Sequence, residues 1–478
     1  MHFRRPTGLP IKYRSFALGK CFFNLDFILD APFMILRAYK DLDGRSFAVP
    51  ALNEYQVLAC SGPDIQSVSE ASEDKLSFHA AMTDRLKHKY TMFGFEHNDI
   101  DPHNAIPGRT IKVLLRIHLP AIRPMIEKRI NEGFNYMLGS SSPDSDGWMS
   151  VSTFGLARSI TERVNAQICL GTELADSPNF MEAASRYSHD AILAAEICRQ
   201  LPSVLTPLIA PVIMKWSGAM HKVQASLQRV VEARIQGSSR GSNQPMDCLQ
   251  WIIQSSHTNA QRAPGRLLQQ AGAIFFASSH QMPMALVYAI YTLCVNPEYV
   301  KLLREEASSK LDKEASNPFK RLILLDAFLR ESARLNPLDA LSIQKKVMQP
   351  FDLPSGARIP AGNLVAVPQQ AILRNEHLYP DPESFNPFRY LSPPGQPQAK
   401  DFTTRYTDVN TSYPYWGSPR KPCPGRWYVS ETMKLAILHL IMNYDVKLVD
   451  EQAPRSFFWT TALVPRMDTK ILLKTRSK

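Results

Sequence analysis

Residues 271–295 carry no formally charged side chain, which restricts the places in a fold where this segment can lie. Its length would suffice to cross a bilayer as a helix. Its middle, however, reads Ser-Ser-His-Gln at 278–281 and is followed by Pro283, a poor composition for contact with lipid. We therefore predict a buried helix that ends near Asn296. Because Pro283 has no N–H for the carbonyl of Ser279, this helix should open there.

The rest of the chain indicates one large, mainly α domain with a minor β region. The 478 residues would permit two or three domains, but no Gly/Ser linker or repeat divides them. We predict an N-terminal segment at 1–30 and a single domain at 31–475. No run of about 18 apolar residues opens the chain, so either the protein lacks a membrane anchor or the sequence is truncated. Seven widely spaced cysteines argue against a disulfide framework and favour a reducing compartment.

The formal net charge of +11 comes without any basic run typical of a nucleic-acid tract, so we expect no nucleic-acid partner. Two interpretations remain open: an ordinary solvated surface, or a basic face that docks an acidic partner. The candidate basic residues are Arg420, Lys421, Arg426 and Lys434, which cluster in the sequence, and Lys112, Arg116 and Arg123 would join them if the fold brings them to the same face.

Cys423 lies in a basic loop between Pro422 and Pro424, directly before an apolar-periodic helix. Positive charge and the helix dipole both favour a deprotonated sulfur at such a place. The amides able to bond that sulfur are those of Cys423, Gly425 and Arg426. Gly425 also permits a positive φ and the close approach of a flat partner such as a haem. The alternative is a buried structural cysteine.

Two weaker motifs precede this loop. Residues 321–335 have a helical apolar stripe that stops before Pro337, and Glu331 and Arg334 lie on one face of that helix. Further on, residues 385–390 read Phe-Asn-Pro-Phe-Arg-Tyr, with Arg389 in fifth place. Alone, a Glu-x-x-Arg pair is usually a solvated ion pair.

Together, these motifs resemble the cytochrome P-450 family of haem-thiolate monooxygenases, and most of all its members from fungal secondary metabolism. The family's loop reads aromatic-x-x-Gly-x-basic-x-Cys-x-Gly, which Trp416, Lys421, Cys423 and Gly425 fit. Pro419 stands where the family usually has Gly. Lys421 replaces the usual Arg or His and offers a point charge instead of a planar fork.

The resemblance implies the cytochrome P-450 fold, with haem b between a distal long helix and the Cys loop with its proximal helix. Cys423 would be the iron ligand, Trp416 and Gly425 would belong to the haem-binding loop, and Lys421 and Arg116 would reach haem propionates. The structural triad that locks this loop would be Glu331, Arg334 and Arg389.

The resemblance also implies a reaction. One oxygen atom from O2 would enter a hydrophobic small molecule, such as a terpenoid or another secondary-metabolite intermediate. Electrons would come from NADPH through a separate NADPH-cytochrome reductase, since the chain has no Gly-x-Gly-x-x-Gly fingerprint of its own. The family norm places the enzyme on the cytosolic side of the endoplasmic reticulum membrane. Without an anchor, a cytoplasmic or peripheral location stays open.

The distal motif departs from the family pattern of Ala/Gly-Gly-x-acid-Thr, whose acid and alcohol deliver protons to dioxygen. Aligned on Ala277, His280 takes the place of the acid and Gln281 that of the alcohol. We hypothesise that Gln281 positions a water that His280 connects to solvent, beside Ser279 and its freed carbonyl. Alternatively, His280 is an interior histidine without a catalytic role. Two further readings stay open: a haem enzyme that rearranges or dehydrates its substrate without activating O2, and a non-catalytic haem binder.

Residues 201–216 are apolar and contain three prolines, so they either dip into a bilayer surface or form a buried or lid-like segment. The expected substrate-facing positions are 93–103, 201–208, the helix around Phe276, 338–343 and 460–463. Their largely apolar content indicates a hydrophobic substrate.

Overall fold

The computed structural model describes residues 5–12, 19–51, 54–95, 105–237, 244–310, 318–391 and 405–476. Helices make up 58% of it, as expected for a mainly α fold. The α-helices are Gly19–Asp41 (α1), Gly62–Glu70 (α2), Phe78–Leu86 (α3), His88–Thr91 (α4), Ala105–Arg109 (α5), Arg116–Leu138 (α6), Thr153–Leu170 (α7), Thr172–Ala175 (α8), Pro178–Arg199 (α9), Thr206–Trp216 (α10), Ala219–Gly237 (α11), Cys248–Ser255 (α12), Pro264–Ser279 (α13), Gln281–Val295 (α14), Glu298–Lys310 (α15), Ile323–Leu335 (α16), Gln369–Leu373 (α17) and Arg426–Asn443 (α18).

Short helices and strands complete the described chain. A π-helix covers Thr110–Leu115, and 3-10 turns cover Ser203–Leu205, Pro318–Arg321, Pro387–Tyr390 and Pro414–Trp416. The strands are Phe47–Pro50 (β1), Tyr55–Leu58 (β2), Leu76–Ser77 (β3), Trp148–Ser152 (β4), Ser342–Val347 (β5), Phe351–Asp352 (β6), Arg358–Ile359 (β7), Leu364–Val367 (β8), Tyr444–Leu448 (β9), Ser456–Trp459 (β10), Ala462–Pro465 (β11) and Lys470–Thr475 (β12).

The described residues of 1–84, 322–423 and 454–466 form one compact unit, which we call the sheet unit. Its five-stranded sheet has the order β1-β2-β8-β5-β3. Only the β2–β8 pair is parallel, with Val57 opposite Val365. These two side chains are fully buried in an apolar cluster that also holds Phe47 and Ile35. Consecutive residues of β2 and β8 are buried, so both faces of these two central strands are covered.

The described residues of 85–321, 424–453 and 467–478 form the second unit, the helical unit. The most extensive contact between two of its helices is that of α6 with α7, where Gly133 lies against Ile160. A Cβ at Gly133 would lie 2.8 Å from the Cα of Ile160, so only glycine permits this approach. The antiparallel sheet β4-β12-β9 brings the last strand of the chain into this unit.

The uncharged segment breaks where the sequence predicts. It folds as two helices, α13 and α14, and His280 between them lies outside both. Pro283 is in the first turn of α14, where an N–H has no partner within the helix and its absence costs little. Helix α16 ends at Leu335, before Pro337 as predicted. It begins two residues later than expected, because Pro318–Arg321 forms a 3-10 turn.

Two other expectations concern the chain as a whole. Helix α1 spans residue 30, and the division into 1–30 and 31–475 stays a prediction. Among the described residues, the one helical segment long and apolar enough to cross a bilayer is Pro264–Val295, and 67% of its most apolar window is buried in the fold. Helix α11, together with the segment Ser203–Trp216 before it, passes the same test only as a pair bent by 75°.

Candidate active site

The loop that carries Cys423 folds as a tight hairpin, residues 416–423. The backbone N–H of Cys423 donates to the carbonyl of Trp416 at 2.6 Å, and Gly417 bridges Pro422. Gly417 makes the turn with a φ of 94°, a value that glycine adopts at little cost. The backbone N–H of Cys423 is thus taken up by Trp416. Hydrogen bonding of the sulfur by the amides of Gly425 and Arg426 stays a prediction.

The Cys423 side chain is half-buried, whereas the other five cysteines described in the structure are buried. Helix α18 begins three residues later, at Arg426, so the positive end of its dipole lies close to the sulfur in the chain. Burial raises the pKa of Tyr415 to about 12, and charge at Cys423 acts in the same direction. The thiol is therefore partly exposed, and the neutral phenol of Tyr415 lies within electrostatic range of it.

Glu331 is the centre of a buried polar network in the sheet unit. Its carboxylate accepts two hydrogen bonds from Arg334, both at 2.8 Å, and one from Nε of Arg389 at 3.0 Å. The hydroxyl of Tyr390 and the backbone N–H of Asn386 complete its acceptor sites at 2.9 and 3.1 Å. The Glu331 and Arg334 side chains have no exposed surface. The structure thus brings together the three residues of the expected triad.

The same network holds the segment before the hairpin. Arg334 donates to the carbonyls of Leu373 and Pro382 at 2.8 and 2.6 Å, and to that of Ser384 at 3.2 Å. Each of these is a charge-assisted bond between a guanidinium and a backbone carbonyl. Helix α16 and residues 373–390 are therefore fixed to each other.

Sequence reasoning missed Arg330, which lies on α16 beside the triad. Its guanidinium carbon lies 4.8 Å from the ring centroid of Tyr390 and 4.2 Å from that of Tyr413. It also donates to the carbonyl of Arg405 at 2.7 Å. Arg330 thus joins the triad segment to residues 405–413. The one signal in the sequence is the density of tyrosines just before Trp416.

A second missed contact runs from α16 to the hairpin. Asp326 accepts the backbone N–H of Tyr406 at 2.5 Å, and the carbonyl of Tyr406 accepts the indole N–H of Trp416, also at 2.5 Å. Trp416 is buried, so its indole anchors the first residue of the hairpin. The hairpin is therefore connected to α16 by a chain of hydrogen bonds.

The break between α13 and α14 places three predicted residues at one turn. The Ser279 hydroxyl donates to the carbonyl of Phe275 at 2.6 Å, so its proton is committed to the helix. His280 is half-buried and Gln281 is exposed. Burial lowers the pKa of His280 to about 4, although the nearby charge of Glu196 acts to raise it. The imidazole is therefore neutral at pH 7.

The comparisons with known proteins bear on this arrangement. The family model described as Cytochrome P-450 matches residues 47–473. This chain belongs to the cytochrome P-450 family. Its members are haem-thiolate oxidoreductases, so the haem and the enzyme class follow from the family.

Three curated relatives of this cytochrome P-450 come from filamentous fungi. The cytochrome P-450 monooxygenase olcJ of Penicillium canescens is 27% identical over 89% of this chain and 80% of its own length. The ent-kaurene oxidase of Fusarium fujikuroi is 27% identical, with 98% and 88% covered. The cytochrome P-450 monooxygenase paxQ of Penicillium paxilli is 24% identical, with 99% and 93% covered.

Among solved structures, a cyanobacterial cytochrome P-450 with retinoic acid bound is similar, with a TM-score of 0.74. It covers 95% of this chain and 96% of its own at 17% identity. This similarity shows the fold alone. It agrees with the mainly α architecture with small sheets that the sequence predicts.

The residues of this cytochrome P-450 fit a large flat cofactor with one protein ligand. Gly425 has a φ of −83°, so the positive φ that it permits is not used. A Cβ there would meet only Ile111 within 4 Å, at 3.8 Å, which leaves room beside the backbone. Residues 422–427 are all half-buried. In the described part of the chain, no three His, Cys, Asp or Glu residues are grouped to hold a metal ion.

The break of α13 shows a matching open face in the helical unit. Ala273 is half-buried, and Ala277 and Gln281 are exposed, although their neighbours along the helix are mostly buried. Ala273 and Ala277 lie four residues apart on one side of α13, and Gln281 is exposed beyond the break, at the start of α14. The two alanines leave space for a flat group, and we call these three positions the open face.

The two residues expected to reach haem propionates have other contacts. Arg116 is exposed, and its guanidinium carbon lies 3.8 Å from the ring centroid of Trp427. Lys421 is joined to Glu73, with 2.6 Å between Nζ and Oε2. Propionate binding by Lys421 or Arg116 stays a prediction.

Two of the expected docking cations are not available at the surface. Lys434 is buried. Arg123 is paired with Glu431 at 2.5 Å, and both side chains are largely buried. Fewer of the expected cations are therefore available than the sequence indicated. In the helical unit, Lys112 and Arg116 are exposed and Arg426 is half-buried, and we call these three residues the basic patch.

The expected substrate-facing positions are only partly described. Residues 96–103 lie outside the described chain. Phe93 is buried and stacks on Tyr187, with 5.0 Å between ring centroids. Val204 and Leu208 are 77% and 68% exposed, so these side chains face outward and not into a substrate site within the helical unit.

Proposed function

We propose that this cytochrome P-450 inserts one oxygen atom from O2 into a hydrophobic terpenoid, with electrons from NADPH supplied by a separate reductase. The observation that carries the proposal is the Cys423 hairpin. It holds a half-buried thiol at the start of α18 and is connected by hydrogen bonds to a buried network on α16.

Haem, when bound, supplies the oxygen activation, and a thiolate ligand favours O–O cleavage. The protein supplies position and proton control. Cys423 would be the ligand, and the open backbone at Gly425 would admit the macrocycle. Trp416 acts indirectly, by fixing the hairpin through its indole N–H.

Proton delivery would depend on Gln281 and His280. Gln281 lies on the open face and offers both an amide N–H and a carbonyl to a water molecule. The neutral imidazole of His280 has one donor and one acceptor nitrogen, so it can pass a proton without being charged. The Ser279 hydroxyl already donates to Phe275, so it can only accept a bond from that water.

The relay is tested by Gln281→Ala. We expect more NADPH consumed per product formed, because water is no longer held in place. Gln228→Ala, an exposed glutamine on α11, is the matched control. Unchanged coupling in Gln281→Ala would remove Gln281 from the mechanism.

A terpenoid substrate is supported by the relatives and by the apolar character of the expected substrate positions. One relative is an ent-kaurene oxidase, which makes ent-kaurene a suitable first probe. An apolar polycycle fits a site that offers shape and few polar groups.

The reductase would dock on the basic patch of the helical unit. The guanidinium carbons of Arg116 and Arg426 lie 3.8 and 3.5 Å from the ring centroid of Trp427. Stacking on the ring orders these two side chains. An acidic reductase surface would be attracted to them, and its on-rate should fall as salt is raised.

The enzyme would contact the cytosolic face of the endoplasmic reticulum membrane through α10 and the 3-10 turn Ser203–Leu205 before it. Leu208, Val212 and Trp216 follow one another at intervals of four on α10 and are 60–83% exposed, and Val204 in the turn is 77% exposed. Such an apolar stripe ending in a tryptophan suits the interfacial region of a bilayer.

The deciding experiment combines haem-loaded enzyme, a reductase, NADPH, ent-kaurene and isotopically labelled O2. We expect NADPH use that depends on the probe, and one labelled oxygen atom in the product. Replacement of the usual alcohol by Gln281 keeps a second activity open, rearrangement or dehydration of an oxidised substrate. A product formed without NADPH would establish that alternative. Absence of haem from the folded protein would leave a non-catalytic role.

A further inference from the structure

Lys421 is bound by a carboxylate of the protein itself. In the sheet unit, its ammonium lies 2.6 Å from one oxygen of Glu73. The other oxygen of Glu73 accepts the hydroxyl of Ser77 at 2.8 Å and the backbone N–H of His79 at 3.0 Å. Burial acts to raise the pKa of Glu73, but these bonds together lower it to about 2. Glu73 is therefore an ionised acceptor whose sites are filled on both sides.

Glu73 belongs to a segment, residues 68–77, that hydrogen bonds hold in place and that we call the frame. Glu73 follows the end of α2, where the buried ammonium of Lys345 donates to the carbonyls of Val68 and Ala71 at 2.7 and 3.3 Å. A cation at this end of a helix is favoured by the carbonyls and by the dipole. Four residues after Glu73, Ser77 pairs with Lys346 in the five-stranded sheet.

The Cys423 hairpin meets this frame at two neighbouring residues. Arg420 donates to the carbonyl of Glu70, and Lys421 binds Glu73. The two cations directly precede Pro422, which limits backbone rotation before Cys423. A shift of Lys421 would therefore be transmitted to the sulfur.

We propose that Glu73 is a positioning residue for Cys423, which it holds in place through Lys421. The sulfur is restrained from two directions. Trp416 fixes the first strand of the hairpin to Tyr406, and Glu73 fixes the second strand to the end of α2. This inference rests on the proposed function, since it concerns the ligand of the haem.

The test uses haem-loaded Glu73→Gln, Lys421→Gln, the double variant, and the exchanged pair Glu73→Lys with Lys421→Glu. The readout is the red-shifted Soret band of the reduced carbon-monoxide complex, which reports thiolate ligation, and the rate of its loss in mild urea. Glu70→Gln is the matched control, because Glu70 binds Arg420 only through its carbonyl.

We expect either single variant to lose the red-shifted band about three to five times faster, the size of change that one partly exposed ion pair permits. The double variant should be no faster than the singles, because both remove the same contact. The exchanged pair should regain only the part of the rate that depends on the ion pair, because a lysine at position 73 cannot accept the bonds from Ser77 and His79. Glu70→Gln should match the parent.

Additive effects of the two single variants would overturn the proposal, because they would mean independent roles. The proposal would also be overturned if Lys421→Gln changed the haem affinity and Glu73→Gln did not. That result would mean that Lys421 binds the haem itself. If the exchanged pair fails to fold, Glu73→Asp replaces it, and a faster loss than in Glu73→Gln would contradict the inference. A parent protein without any red-shifted band would instead refute the proposed function.

Discussion

At the scale of single residues, Glu331 is a fully buried carboxylate whose charge must be balanced by hydrogen-bond donors. An ionised carboxylate without exposed surface is tolerated only when its oxygens are bonded, and in this protein Arg334, Arg389, Tyr390 and Asn386 all donate to it. Removing its charge would leave Arg334 buried without a counter-ion.

We therefore predict that Glu331→Gln lowers the free energy of unfolding by about 3–5 kcal/mol, as found when one partner of a buried pair is removed. Urea unfolding of the folded protein measures this directly. Glu305→Gln is the control, since Glu305 is 60% exposed and 3.9 Å from Lys301. Its effect should stay within about 0.5 kcal/mol. Equal effects of the two substitutions would contradict the account.

His280 gives a prediction about acid. Its pKa is about 4 in the folded protein, against 6.5 ordinarily, so between these values the unfolded chain binds more protons. The contribution of the neutral His280 to the free energy of unfolding is then fully present above pH 6.5. It is lost as the pH falls towards 4, by at most about 3 kcal/mol. Between pH 7 and pH 4.5, His280→Gln should lose less stability than the parent. His257→Gln, at an exposed histidine, should lose as much stability as the parent. Parallel curves for the parent and His280→Gln would refute the shift.

At the scale of elements, the break between α13 and α14 follows from one residue. Pro283 cannot donate to Ser279, and His280 adopts φ −101° and ψ −46° between the two helices. Gln281 on the open face owes its position to that break.

Pro283→Ala should restore a donor and favour one continuous helix. We expect this to turn Gln281 away from its present position and to increase the NADPH consumed per product. Pro264→Ala is the control, because Pro264 begins α13, where a backbone N–H has no helical partner in either form. If Pro283→Ala left the NADPH consumed per product unchanged, the break between α13 and α14 would have no role in proton delivery.

What the sequence predicts well is local. The break near Pro283 and the end of α16 before Pro337 each depend on a proline and its neighbours. The Glu331, Arg334 and Arg389 positions came from a family resemblance, and the structure brings their side chains together.

The remaining features depend on contacts between segments that are far apart in the sequence, so the sequence alone could not predict them. Glu73 lies 348 positions from Lys421, and no spacing rule joins them. Arg330 gains its role from Tyr390 and Tyr413, which only the fold brings to its two faces. Lys434 is buried for the same reason, although a lysine on a helix is usually exposed.

At the scale of the whole molecule, the exposed apolar side chains of α10 and of the 3-10 turn before it support the proposed membrane contact. Val204 in that turn and Leu208, Val212 and Trp216 on α10 together offer a larger apolar surface than scattered single residues would. Binding through them depends on apolar area, so it should not weaken as salt is raised.

We predict that Leu208→Ser with Trp216→Ser lowers partition onto neutral phosphatidylcholine vesicles at least about tenfold, since each buried side chain contributes about 1.5–3 kcal/mol. Cosedimentation measures this. Ile117→Ser with Tyr136→Ser is the matched control, as both side chains are 65% exposed on α6. An equal loss in the control, or none in the test variant, would refute a role for α10.

The central claim is that Cys423 is the thiolate ligand of a haem, and the carbon-monoxide difference spectrum of the reduced, haem-loaded protein tests it most directly. We expect a strongly red-shifted Soret band in the parent and in Cys60→Ala, a control at a buried cysteine of the sheet unit. The band should be absent from Cys423→Ala. A red-shifted band that persists in Cys423→Ala, or is absent from the parent, would contradict the account.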